Sequence, residues 1–297
     1  MPIPEMQSAP KAQITGLRRP SAVSQVLRAL SETPVGTETW TLQGLPDGCS
    51  PFRVRVAADR KTRERAYRLA FRLYLERGYV SASQEARIVS AFDLHPDTLT
   101  LLAEDTNGQE LATVSLVFDS ARGLPSDEIF GEELGALRAS NLRLVEVTRL
   151  AISDAYGPSK ALLIALFNLC FVFGRRVMNF DHSVIEVNPR HVKYYSRMFH
   201  YEATGPLRAC PRVNGAPAQL LGLDLAVYDR EIRRVGGQGV AAAERSLYAH
   251  FHPPETEQGM VRFLQSQQRP MSKGDARYFG LTENIREVAT AVGQASD

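Results

Sequence analysis

The chain has little of several things that would announce a function at sight. Its three cysteines, Cys49, Cys170 and Cys210, stand far apart, which excludes a zinc knuckle and a disulfide framework. Cys170 lies in an apolar helical run and reads as core. The six histidines form no spacing such as His-Glu-x-x-His, so no metal is expected. A net charge of only +2 leaves no bulk footprint for nucleic acid; any basic surface must be local. The most apolar stretch, ALLIALFNLCFVFG (161–174), is too short to span a bilayer and carries Asn168. The first residues, MPIPEMQSAPKAQITG, lack the apolar run of a signal peptide, and a reducing cytoplasm is expected.

What is present is ordinary globular composition, 44% hydrophobic and 23% charged, in a chain long enough for one large domain or two small ones. Residues 1–50, rich in Pro, Ser, Thr and Gly, read as a flexible leader. Residues 51–230 alternate strand and helix patterns. A break at RRVGGQGV (233–240) introduces a helical C-terminal extension over 231–297.

Within the central part, FRVRVA (52–57) alternates as a strand, and DRKTRERAYRLAFRLYLERGY (59–79) is a helix with Asp59 as N-cap. A short helix is expected near 82–92. TLTLLAED and QELATVSLVFD form a hairpin through Asn107-Gly108. An amphipathic helix (126–140), the strand RLVEVTRLAI (143–152) and an all-round apolar helix (157–176) follow. The strand FDHSVIEV (180–187), the helix NPRHVKYYSRMF (188–199) and a late strand (218–228) complete the order. It is an α/β (α+β) arrangement with an antiparallel hairpin and one parallel crossover.

The strand 143–152 poses a chemical question. Its aliphatics mark it for burial, yet it carries Glu146 and Arg149. Strict alternation puts Glu146 and Thr148 on one face and Arg149 on the other. Buried charges are paired or used, so either a structural ion pair or a reactive centre is expected here.

The pieces LPSDEIFGEELGALR, VEVTRLAI and IEVNPRHVKYYSRMF resemble long-chain N-acyl amino acid synthases of the FeeM type, which share the GNAT acyltransferase fold with acyl-homoserine-lactone synthases. The resemblance covers about residues 52–228. It implies transfer of a fatty acyl group from acyl carrier protein, carried as acyl-phosphopantetheine with no resident cofactor, to the α-amine of an amino acid. It also implies a mixed, mostly antiparallel sheet with a bulge in the strand of Glu146, splayed from the next strand. Any membrane contact belongs to the product alone.

Residue by residue, the resemblance gives Glu146 the amine, as base or as organiser of a hydrogen bond, with a plain buried pair as the alternative. Thr148 corresponds to a small hydroxyl residue suited to hold a relay water. Asp93 matches an acid near the substrate amine, and Arg149 is expected to lock Glu146 or Asp93. Tyr195, seven residues after Asn188, is a candidate acid for the leaving thiolate, or a packed core tyrosine. Phe71, Tyr74, Val147 and Leu150 are expected to shape the substrate pocket. His182 and His191 are weaker candidates. The loop SDAYGPSKA (153–161) departs from the pyrophosphate-cradling pattern of acetyl-CoA enzymes, with Asp154 in place of a basic or amide residue. TVSLVF (113–118) lacks the arginine of the lactone synthases. Arg190, Lys193 and Arg197 share one helical face, and with Arg175 and Arg176 they are expected to dock an acidic carrier protein; a solvated surface is the alternative. An acyl-chain-binding module without turnover is the non-enzyme alternative.

Overall fold

The computed structural model describes residues 40–41, 51–154, 160–239 and 245–281. Most of the expected leader and the loop residues 155–159 lie outside the described residues. Trp40 and Thr41, inside the expected leader, form the two-residue strand β1, paired antiparallel with Val54 and Arg53 of β2 (Phe52–Val56).

Helix α1 (Arg60–Glu76) begins where Asp59 accepts the Thr62 N–H at 3.0 Å, and it buries Ala66, Tyr67, Ala70 and Phe71. β3 (Leu99–Asp105) and β4 (Glu110–Phe118) join through a turn in which Asp105 accepts the N–H groups of Asn107 and Gln109, while Gly108 supplies φ +84°. Then come α2 (Asp127–Ala139), β5 (Leu144–Ile152), α3 (Lys160–Phe171) and β6 (His182–Val187). They are followed by α4 (Val192–Phe199), β7 (Glu202–Ala203), β8 (Arg208–Cys210) and β9 (Ala216–Asp224). The last helices among the described residues are α5 (Leu225–Val235), α6 (Gln258–Gln267) and α7 (Lys273–Tyr278).

Among the described residues one open sheet runs β1-β2-β3-β4-β5-β6-β9-β7, with β8 added to β9. β5 and β6 are parallel, joined by the crossover through α3; the other pairings are antiparallel. The mixed, mostly antiparallel sheet expected from the sequence is therefore present.

α3 is apolar all round because it is covered all round. Its residues from Leu162 to Phe171 are buried, and they share one core with the sheet and with Tyr228, Tyr248, Phe251, Met260 and Leu264. The C-terminal segment thus supplies a layer of the same core. It also reaches α1: Phe279 packs edge-on against Tyr67 at 5.3 Å, and Asp275 pairs with Arg60 at 2.7 Å.

Three expectations fail. Residues 82–90 form no helix; only a 3₁₀ turn, Ala91–Leu94, appears, because Arg87 is drawn to Glu64 and to the Tyr278 carbonyl. Tertiary contacts outweigh a modest helix propensity there. The late strand stops at Asp224, whose side chain accepts the Ala226 N–H at 2.8 Å and starts α5, so Leu225–Tyr228 are helical. Of the helix expected at 241–251, residues 241–244 lie outside the described residues, and Leu247–His250 form a 3₁₀ turn.

Because the C-terminal layer shares the core, the whole fold should melt in one cooperative transition. Phe279 is 2% exposed, and Phe279→Ala should lower stability by about 3–5 kcal/mol while keeping a single transition in urea denaturation. Two separate transitions in the parent chain would contradict a shared core.

Candidate active site

The cleft begins with a local irregularity of β5. Against β4, Thr113 faces Ala151 but Ser115 faces Thr148, so β5 carries one extra residue. Arg149 sits in this bulge with φ +53°, a left-handed conformation that costs a non-glycine residue free energy. The bulge turns its guanidinium onto Asp93: Nη1 donates to Oδ2 at 2.8 Å and Nη2 to Oδ1 at 2.5 Å. Asp93 also accepts the Ser90 N–H at 2.8 Å and the Tyr67 hydroxyl at 3.2 Å. The Arg149 guanidinium lies over the Tyr67 ring, and Asp93 holds its charge more firmly than burial alone would allow.

This corrects two expectations. Asp93 is sealed behind Arg149 and does not line the cleft, because its oxygens are taken up by the protein itself. Phe71 is likewise buried away from the cleft in the packing of α1. Of the two partners expected for Arg149, the structure selects Asp93.

Ahead of the bulge β5 and β6 part. The parallel pairing of β5 with β6 ends at Glu146 opposite Val184. The gap opens into a cleft of about 510 Å³, within the range of small-molecule sites. Period-two alternation divides its walls. Val147 and Ile185 join the α3 side with Phe167 and Tyr195. Glu146, opposite Val117 on β4, faces the α2 side, and Glu186, two residues after Val184, follows it. Thr148, Leu150 and Tyr74 also line the cleft, and burial raises the Tyr74 phenol to about 12.

Glu146 is 1% exposed, and its Oε2 accepts the backbone N–H of Ser126 at 2.9 Å, just before α2. Burial raises its carboxyl to about 7; the Ser126 N–H and Arg212 pull it down, and Glu186 adds to the rise. A carboxyl poised there can give or take a proton at neutral pH. Tyr195 packs against Phe167 and Phe199, and its hydroxyl donates to no described residue. Burial keeps that phenol protonated, as a hydrogen-bond donor.

Glu186 and Arg212 line the same end and were not singled out in the sequence. For Glu186 the signal was available, since SVIEV repeats the pattern of one carboxylate among strand aliphatics. Arg212 sits in the turn Pro211–Val213 between β8, a three-residue strand the sequence did not signal, and β9, where sequence pattern is silent.

At the mouth, Arg190 donates to the Tyr79 hydroxyl at 2.6 Å and to His191 Nε2 at 3.0 Å, and Asn214 Nδ2 donates to the Gly78 carbonyl at 3.1 Å. Lys193 and Arg197 are exposed on α4. Arg175 and Arg176 do not join them. Both are half-buried and committed to Asp229, with Arg176 also bound to Glu257, so the expected patch loses these two cations. His182 packs its Nε2 against Gly222, away from the cleft. Among the described residues no His, Cys, Asp and Glu cluster is arranged to hold a metal ion, and no helix is long and apolar enough to cross a membrane.

A family model described as the N-acyl amino acid synthase FeeM matches residues 65–224, more than half of the chain. The chain belongs to that family. The solved structure of FeeM, an N-acyl amino acid synthase from uncultured soil microbes, superposes with a TM-score of 0.53 and 25% identity over 60% of this chain and 93% of that one. The acyl-homoserine-lactone synthase LasI aligns with 18% identity and a TM-score of 0.46 over 59% of this chain and 91% of its own. The spermidine N-acetyltransferase SpeG of Vibrio cholerae aligns with 15% identity and a TM-score of 0.41 over 60% and 95%. No curated protein matches by sequence. The chain is an acyltransferase of the FeeM family with a GNAT-like fold.

In this FeeM-family chain Arg149 is a brace. Arg149→Ala strands Asp93 as a buried unpaired charge and should destabilise the fold by about 3–5 kcal/mol, measured by urea denaturation. A variant of parental stability that had lost turnover would instead put the guanidinium on substrate.

Proposed function

We propose that the chain moves a long-chain fatty acyl group from the phosphopantetheine arm of an acyl carrier protein to the α-amine of an amino acid, releasing an N-acyl amino acid. The observation that carries this reading is Glu146, a sealed carboxyl raised to about 7 at the point where β5 and β6 part. The acyl chain lies along the apolar wall of Val147, Ile185 and Phe167. The amine attacks the thioester carbonyl from the Glu146 side. Glu146 takes the amine's proton, directly or through a water beside Thr148, as the C–N bond forms. The tetrahedral oxyanion collapses and the C–S bond breaks. The Tyr195 hydroxyl protonates the leaving thiolate, so the carrier departs as free thiol, and both side chains return to their starting states through solvent.

The donor assignment rests on two features. In SDAYGPSKA, Asp154 stands where a nucleotide-binding loop has a basic or amide group, and a carrier-bound donor has no nucleotide to hold. Lys193 and Arg197 project from α4, whose inner face carries Tyr195, and they give an acidic carrier a positive approach.

Lipid extracts of a bacterial host expressing the chain should contain new N-acyl amino acids by mass spectrometry. Acyl-homoserine lactones alone, or no new acyl product, would refute the reading. With purified protein, carrier-protein thioesters should be used about tenfold or more better than acyl-CoA. Lys193→Glu with Arg197→Glu should raise KM for the carrier donor and spare a short acyl-pantetheine. Equal use of acyl-CoA by the parent chain would remove the carrier assignment.

Glu146→Gln should lower kcat by roughly 10²–10⁴-fold and erase a rising limb of kcat/KM near pH 7. Stability should move the other way. A carboxyl raised from 4.5 to about 7 favours the protonated folded state, so the parent loses stability as pH climbs from about 4.5 through 7. Glu146→Gln lacks that loss and should melt above the parent at pH 8 but alongside it at pH 4. A variant less stable at both pH values would make Glu146 a structural residue.

A further inference from the structure

Four arginines line the cleft: Arg77, Arg149, Arg190 and Arg212. Three are occupied away from the Glu146 end. Arg77 donates to the Leu73 and Ile152 carbonyls and reaches Asp154. Arg149 spends both terminal nitrogens on Asp93. Arg190 is held at the mouth by Tyr79 and His191.

Arg212 differs. Its Nε pairs with Glu128 Oε2 at 2.8 Å and its Nη2 with Glu186 Oε2, so two carboxylates grip two edges of the guanidinium. Its Nη1 makes no hydrogen bond to a described residue, and Arg212 is an exposed residue that lines the cleft, so this nitrogen is left without a protein partner at the cleft wall. The turn that carries it is firmly built. Asn214 and Gly215 take positive φ, the Gly215 N–H donates to the Cys210 carbonyl at 2.9 Å, and the Asn214 side chain ties the turn to Gly78. Arg212 also lies close enough to Glu146 to pull its carboxyl down. An arginine that served only to neutralise Glu186 would need neither the second carboxylate nor a nitrogen left without a protein partner at the cleft wall.

We infer that Arg212 sets acceptor specificity: Nη1 holds the α-carboxylate of the acceptor amino acid, so that its α-amine is presented to Glu146. The two contacts lie on one substrate fragment, since carboxylate and amine share the α-carbon. Glu128 and Glu186 hold the guanidinium in place before substrate arrives, so little side-chain freedom is lost on binding. A charged donor aimed at a substrate carboxylate discriminates sharply against an analogue lacking it, because the guanidinium nitrogen is then left without its partner. This assignment rests on the acyltransfer reading above.

The test uses the purified full chain with a dodecanoyl carrier-protein thioester and a mixture of the twenty amino acids, to identify the acceptor it acylates. That amino acid is then compared with its amide and with its decarboxylated amine. The parent chain should use the amide and the amine about 10–100-fold less well in kcat/KM. In Arg212→Gln the acid-over-amide ratio should fall towards one, through a rise in KM for the amino acid, and Arg212→Lys should keep part of it. If Arg212→Gln fails to fold, the acid-to-amide comparison in the parent chain decides alone. Equal use of the acid, amide and amine by the parent overturns the assignment. So does an Arg212→Gln variant that slows every acceptor by the same factor, which is the signature of a structural brace. Absence of acylation with every acceptor overturns the acyltransfer reading and this assignment with it.

Discussion

The ion pair between Arg149 and Asp93 is what the cleft stands on. A left-handed non-glycine residue costs on the order of 1–3 kcal/mol, and a buried carboxylate costs more if left alone. Each offsets the other, since the bulge brings the guanidinium to Asp93 and the fork of hydrogen bonds holds the bulge. With an extra residue in β5, the strand keeps its pairing with β4 on both sides of Arg149 yet leaves β6 after Glu146. The support extends further back. Tyr67 donates to Asp93, and Phe279 packs on Tyr67, so the last described turns of the chain stand behind the bulge. The family match ends at residue 224, but the scaffold of the site does not.

The same splay sorts the chemistry. A pleated strand shows opposite faces at successive residues, so a gap between two strands has one wall from each face. Here one wall is aliphatic and aromatic, and the other carries Glu146 and Glu186. An acyl thioester is an apolar chain ending in a polar carbonyl, and the division of the walls matches the division of that molecule. Glu146 gains its raised pKa from the same geometry. It is buried beneath α2 with a single backbone N–H on Oε2, which is too little to hold it fully ionised.

Much of this was legible in the sequence, and the limits have physical causes. The Asn107-Gly108 hairpin and the all-round apolar α3 are local patterns, and they appear as expected. Glu146 stood out because a carboxylate among strand aliphatics needs a reason. The direction of Arg149 did not follow from alternation, since an arginine at φ +53° leaves no local mark; only the resemblance pointed to a bulge. Asp93 matched an acid at the substrate, yet a guanidinium three residues beyond Glu146 has claimed it. The group of Glu128, Glu186 and Arg212 joins a helix, a strand and a turn far apart in sequence, and no periodicity signals such a meeting. Arg175 and Arg176 looked like surface cations, but the C-terminal layer brings Asp229 and Glu257 onto them.

The charges at the inner end of the cleft also constrain the form in which an acceptor enters. Glu186 offsets Arg212, Glu128 binds the same guanidinium from outside the cleft lining, and burial brings the Glu146 carboxyl to about 7 beside them. The balance is negative, which repels an anion and favours an ammonium. On the acceptor reading inferred above, an amino acid satisfies this as a zwitterion, with its ammonium beside the glutamates and its carboxylate on Arg212. The ammonium cannot attack a thioester until it loses a proton. On the acyltransfer reading proposed above, solvent takes that first proton, and Glu146, raised by burial among these groups, takes the second as the C–N bond forms. On that reading one carboxylate serves twice, its ionised form first attracting the ammonium and then accepting the proton released as the C–N bond forms.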